Sequence, residues 1–171
     1  LVTDLMQESS QVYMQLSGAN GYRMKNIGGR GIMDSRPFQI FEGSNEMLYT
    51  QIAEMIHKPM KRTKELNIYK FLKNFDLTDR SHRYFAKDLD LTFPSALSQR
   101  KLIDLGKVFS RIIALNFVLE MREKGFREDL ISNCIETVKL DVSLFISSFH
   151  SKNVTSPIQE YHQNSLWSDF V

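Results

Sequence analysis

The sequence predicts an all-α fold, a helical bundle of antiparallel helices, on three observations. Apolar residues recur every three or four positions in several separate stretches. No stretch of useful length alternates apolar and polar residues as a half-buried strand does, and most Gly and Pro residues fall between the periodic stretches.

The elements follow in order. Val2, Leu5, Ser9, Val12 and Leu16 form a stripe along one helix that ends near Ser17 and Gly18. From Ala19 to Gly31 the turn formers Asn20-Gly21 and Gly28-Gly29-Arg30-Gly31 predict an irregular excursion, because glycine loses too much backbone freedom inside a helix. After Pro37 comes the short apolar stretch Phe38 to Phe41. Ser44 then reads as an N-cap, with Glu46 in the first turn of a helix striped by Met47, Leu48, Ile52, Met55 and Ile56, and Pro59 as its stop.

Basic residues Lys58, Lys61, Arg62 and Lys64 mark a composition shift, which places a domain boundary between 1–58 and a helical extension at 59–171. In the extension, Leu66, Tyr69, Leu72 and Phe75 suggest one helix, and Asp79 to Leu89 another capped by Thr78. Pro94 suits the first turn of a long helix striped by Leu102, Leu105, Phe109, Ile112, Phe117 and Leu119 and closed by Gly125. Ile131, Ile135, Val138, Val142, Phe145 and Phe149 make the clearest amphipathic helix, and so short a turn before it predicts antiparallel packing. The end, from Ser151 to Val171, has little periodicity, with Leu166, Trp167 and Phe170 as the residues expected to dock.

A net charge of +2 over 171 residues calls for neither nucleic acid nor an anionic membrane as partner. The single cysteine, Cys134, has no partner for an intramolecular disulfide or a zinc knuckle, and is expected in a core. That usage fits a reducing compartment, cytoplasm or mitochondrial matrix, not secretion. His57, His82, His150 and His162 have no metal-site spacing, so no metal is predicted. No apolar run approaches the roughly 20 residues of a membrane span. The opening residues lack the pattern of a signal peptide, and the start at Leu1 suggests a piece of something longer.

Two blocks carry chemistry. Gln15-Leu16-Ser17-Gly18-Ala19-Asn20-Gly21-Tyr22 is followed by Asp34 and then by Ile40-Phe41-Glu42-Gly43-Ser44-Asn45-Glu46. Together they resemble the signature of the acyl-CoA dehydrogenase family, a Gln-x-x-Gly-Gly-x-Gly-aromatic block followed at this separation by aromatic-Glu-Gly-Thr/Ser. The resemblance extends to about His57. It implies a FAD-dependent oxidoreductase in which Glu42 takes the α-proton of an acyl-CoA thioester while the β-hydrogen leaves as hydride. It also implies that Gln15, Gly18 and Ala19 touch the ADP half of a neighbouring subunit's FAD, and that Ser44 and Glu46 flank the cofactor. Implied partners are electron-transfer flavoprotein and further copies of the chain in a homo-oligomer. The parts of the family that hold most of the flavin are not in this sequence, so the chain alone is expected to be inactive and free of FAD.

The same residues admit plainer readings. Glu42 taken alone fits an acid near a helix N-terminus, and Gly18-Ala19 a helix C-cap. Ala19 stands in place of the usual second Gly, Met33 in place of the Arg that commonly precedes Asp34, and Tyr49 where many members keep Arg. Gly28 to Gly31 lacks the spacing of a phosphate cradle and reads as a turn. Lys58 to Lys64 reads as a solvated helix end, and Leu102 to Phe149 as core. Two other functions fit the sequence: an acyl-CoA oxidase using the same carboxylate, and a non-enzymatic module in which 59–171 serves subunit or membrane-surface contact.

Overall fold

The computed structural model describes residues 1–41, 44–94 and 97–151. Among the described residues there are six α-helices: α1 (Val2–Leu16), α2 (Ile27–Ser35), α3 (Asn45–Thr63), α4 (Ile68–Leu72), α5 (Gln99–Glu123) and α6 (Glu128–His150). Short 3-10 segments lie at Gly18–Tyr22, Arg36–Gln39, Asp76–Thr78 and His82–Phe85. Among the described residues there is no strand, only one antiparallel bridge between Asn67 and Thr92. The fold is all-α, as predicted.

Helices α5 and α6 form an antiparallel hairpin. Arg122 pairs with Glu128 beside the turn, Arg111 Nε meets Asp141 Oδ2 at 2.6 Å midway, and Ser148 Oγ donates to Asp104 Oδ2 at 3.0 Å at the far end. Gly125, with φ +84°, reverses the chain between them, a backbone region in which glycine carries no Cβ penalty. Helix α3 packs on α5 so closely that a Cβ on Gly106 would lie 1.9 Å from the carbonyl oxygen of Tyr49. Ile56, Met60, Leu72, Phe85, Phe109 and Ile112 fill the core that α3, α4, α5 and the intervening turns share with α6. Each such side chain stabilises the fold by about 1.5–3 kcal/mol relative to exposure.

Several expectations are corrected. Gly28, Gly29 and Gly31 are inside α2, not in a turn. A Cβ on Gly28 would lie 2.9 Å from Met14 Cα, one on Gly29 2.5 Å from the Gly21 carbonyl oxygen, and one on Gly31 2.9 Å from Ser10 Oγ. The glycines are there so that α2 can lie against α1 and the turn after it, and Asn26 caps the helix by accepting from Gly28 N at 2.8 Å. Pro59 does not stop α3, which runs on to Thr63 and ends where Lys64 turns left-handed at φ +58°. Ile56 before the proline and Met60 after it are both buried, and that packing outweighs a cost of about 3 kcal/mol for proline in a helix interior.

The α3 stripe is also rotated. Tyr49, Ala53, Ile56 and Met60 face inward, while Met47, Leu48 and Met55 are exposed. No single helix spans 66–75; α4 is five residues long, capped by Asn67. Residues 79–89 form turns and a 3-10 segment instead of an α-helix. Thr78 Oγ1 donates to the Leu72 carbonyl at 2.6 Å, and Asn116 on α5 accepts from Arg80 N at 2.9 Å. Side-chain bonds to the backbone compete with the helical ladder there. Helix α5 begins at Gln99 and not at Pro94, because Phe93 N donates to the Leu66 carbonyl and holds the preceding chain against α4. Phe117 is exposed, and Cys134 is half-buried, not in the core. Leu166, Trp167 and Phe170 lie outside the described residues.

Candidate functional site

The N-terminal turn of α1, the end of the 3-10 segment at Arg36–Gln39 and the first two turns of α3 meet around one carboxylate, Asp4. Its Oδ1 accepts from Gln39 Nε2 at 3.0 Å and from Asn45 Nδ2 at 2.5 Å, and its Oδ2 accepts from the Tyr49 hydroxyl at 2.5 Å. Around it, Arg36 Nη1 donates to Gln39 Oε1 at 2.7 Å, and Thr3 Oγ1 to Asn45 Oδ1 at 3.1 Å. Ser44 caps α3 by accepting from Met47 N at 3.4 Å, which places Asn45 and Glu46 in the first helical turn.

The electrostatics follow from these contacts. Burial pushes the Asp4 carboxyl up, but hydrogen bonds from Tyr49, Asn45 and Gln39 hold the group below its ordinary value. Burial and the bond to Asp4 push the Tyr49 hydroxyl up to about 12. The proton therefore stays on Tyr49 and the charge on Asp4. Behind Tyr49 stands α5, with Lys107 Nζ 5.9 Å from the Tyr49 ring centre and Arg111 on the next turn, ion-paired with Asp141 and set over the Phe145 ring at 4.4 Å. Farther along α3, His57 stacks on Phe93 at 3.9 Å between ring centres; burial and the charge of Lys61 lower its pKa.

The residues singled out in the sequence fall into two separate groups. Ser44 and Glu46 sit exposed beside the Asp4 cluster, in a polar hollow shared with Arg36, Gln39 and Asn45. Gln15, Gly18 and Ala19 sit exposed at the other end of α1. At 1.5 Å per residue the 11 positions from Asp4 to Gln15 span roughly 16 Å. Glu42, with Gly43, lies outside the described residues. Gly18 is left-handed at φ +56° with nothing near its missing Cβ, so its backbone is open to a ligand. A shallow apolar groove between α1 and α2 is lined by Val2, Leu5, Met6, Ser9 and Phe38.

One family model matches the front of the chain. Residues 1–57 match the acyl-CoA dehydrogenase C-terminal domain. Over that stretch, a third of the chain, the sequence is similar to the acyl-CoA dehydrogenase family. Comparison with curated proteins and with solved structures returned no match. The dehydrogenase match ends inside α3, which continues without a break to Thr63, and it takes in both sequence blocks and the whole Asp4 cluster. The family is one of FAD-dependent oxidoreductases.

Sequence reasoning passed over Asp4, Gln39 and Asn45, and noticed Tyr49 only as a departure from the family pattern. No local signal was there to find. Asp4 and Asn45 are 41 positions apart, and only the meeting of the first turns of α1 and α3 in the fold brings them together. Among the described residues no group of His, Cys, Asp or Glu has the arrangement of a metal site. No described helix is long and apolar enough to cross a membrane.

Proposed function

We propose that this chain is the C-terminal part of a FAD-dependent acyl-CoA dehydrogenase, with Glu42 as the base that removes the α-proton of an acyl-CoA thioester. The observation that carries the reading is the family match over residues 1–57, which includes both blocks at their family separation. The Asp4 cluster supports it. Gln39 and Asn45, three residues on either side of position 42, are both bonded to one carboxylate, so the backbone around the base is anchored on each side.

Bound FAD supplies the acceptor for the β-hydrogen as hydride. Glu42 takes the α-proton, and exclusion of water by the bound substrate raises its pKa toward the working pH. In the family the N–H of this Glu donates to the thioester carbonyl and so acidifies the α-carbon, and we carry that role over to position 42. Ser44 and Glu46, exposed at the start of α3, flank the flavin. Gln15, Gly18 and Ala19, about 16 Å away along α1, take the nucleotide half of a different flavin. The family resemblance assigns the two groups to flavins of different subunits, and hence implies a homo-oligomer. We read electron-transfer flavoprotein as the electron acceptor and residues 59–171 as a helical extension.

The test is anaerobic bleaching of the flavin by acyl-CoA in the flavoenzyme that carries this chain. Glu42→Gln is expected to slow it by about 10²–10⁴-fold. Bleaching at the wild-type rate removes Glu42 from the mechanism.

A further inference from the structure

We infer that Asp4 is a positioning residue for the reaction, tying Gln39 and Asn45 to α1 and, through Tyr49, to the α5 helix of the tail. The inference rests on the reading of Glu42 as the base and adds the device that holds the chain on either side of it.

The geometry excludes a reacting role for Asp4 itself. Both of its oxygens are occupied, Oδ1 by the amides of Gln39 and Asn45 and Oδ2 by the Tyr49 hydroxyl. A carboxylate that accepts three donors is a poor base, because taking a proton would break bonds that favour its charge. What it does well is fix directions. Gln39 is the last residue of one short helical segment and Asn45 the first of α3, so one side chain on a third element sets the separation of two chain ends. Arg36 and Thr3 complete the bonding of those two amides and so fix which atom of each faces Asp4.

The tail enters through Tyr49. Tyr49 is 3% exposed, and α5 presses on its carbonyl at Gly106, an approach that only a residue without a Cβ allows. Lys107 covers the ring from the same helix. The hydroxyl therefore reaches Asp4 from a residue that cannot shift without moving α5. This assigns the tail a function at the site: it buttresses the tyrosine that orients Asp4. A side chain misplaced by about 1 Å at a reacting centre can cost on the order of 10²-fold in rate, so a device that only holds the backbone is worth keeping.

The experiment compares Asp4→Ala, Tyr49→Phe and Glu42→Gln in the flavoenzyme that carries this chain, with rates expressed per bound flavin. Asp4→Ala is expected to lower kcat by about 10–100-fold while KM for acyl-CoA changes less than about twofold. Tyr49→Phe, which keeps the ring and removes the hydroxyl that bonds Asp4, is expected to lower kcat by about 3–10-fold. In the 171-residue chain itself, amide hydrogen exchange of peptides covering 37–41 and 45–48 should rise about 10-fold in Asp4→Ala, with 105–119 unchanged. Wild-type kcat per flavin in Asp4→Ala, with Glu42→Gln slow, overturns the positioning role alone. So does unchanged exchange at 37–41 and 45–48. Wild-type turnover in Glu42→Gln overturns the base assignment and the positioning role with it.

Discussion

Up to Leu48, the buried residues that the structure describes are Gln7, Gly21, Gly28 and Ser35, two glycines and two polar side chains. From Tyr49 onward the buried set is mostly Phe, Leu, Ile and Val, many of them with no exposed surface at all. The front of the chain leaves Val2, Leu5, Val12 and Leu16 of α1 open to solvent, whereas the tail encloses the corresponding stripes of α5 and α6. Two kinds of cohesion share one chain. The tail is held by apolar area, which is non-directional and tolerant of small shifts. The front, up to Leu48, is held by helices brought together at glycines and by hydrogen bonds to Asp4, which specify positions more than they add stability. In the proposed reading the front segment presents reacting groups, a task that directional bonds suit.

That contrast can be broken at either end. The largest effect is expected in the tail, where Phe109→Ala removes a side chain with no exposure and should destabilise the chain by about 3–5 kcal/mol in urea unfolding. A loss under about 1 kcal/mol would mean that the tail is not held by its core. Next comes the contact between the two regions. Gly106→Ala puts a methyl against the Tyr49 carbonyl and should cost about 2–3 kcal/mol by the same measurement, with the near-ultraviolet signal of tyrosine altered.

Asp4→Asn tests the polar region and should cost about 1 kcal/mol, moderated because solvent reaches the side chain. This difference depends on pH with a definite sign. The folded carboxyl titrates below its unfolded counterpart, so its contribution is complete above the ordinary Asp value and is lost as pH falls through the lower folded one. The gap between wild type and Asp4→Asn should close below about pH 4; a gap that persists there would assign the effect to shape and not to charge. The smallest effect belongs to the open face of α1. Leu16→Ala, at a position 82% exposed, should change stability by less than about 0.5 kcal/mol, and a larger loss would show that this face is covered in solution.

Periodicity made much of the fold legible. The 3.6-residue repeat marked α1, α5 and α6, Ser44 announced the start of α3, and Gly18 and Gly125 marked reversals at which the chain does take positive φ. Legibility failed where a residue answers to a distant neighbour. Gly28 to Gly31 reads locally as a turn and is a helix because α1 lies against it. Pro59 reads locally as a stop and is passed because Met60 has a buried place to go. At the site, Ser44 was readable as a cap, while Asp4 was an unremarked acid in a first helical turn.

The order of amino acids by itself determined that the chain is helical, where several helices lie, and that the blocks around Gln15 and Ser44 belong to a dehydrogenase pattern. These are local properties, set by backbone preference and by spacing along the chain. Only the tertiary structure decided which faces are buried, that α2 is a helix, and that Asp4, Gln39, Asn45 and Tyr49 form one cluster. Contacts between residues some 35 to 45 positions apart depend on how helices pack, and packing is settled by the shapes of all the helices together, not by any one stretch of the sequence.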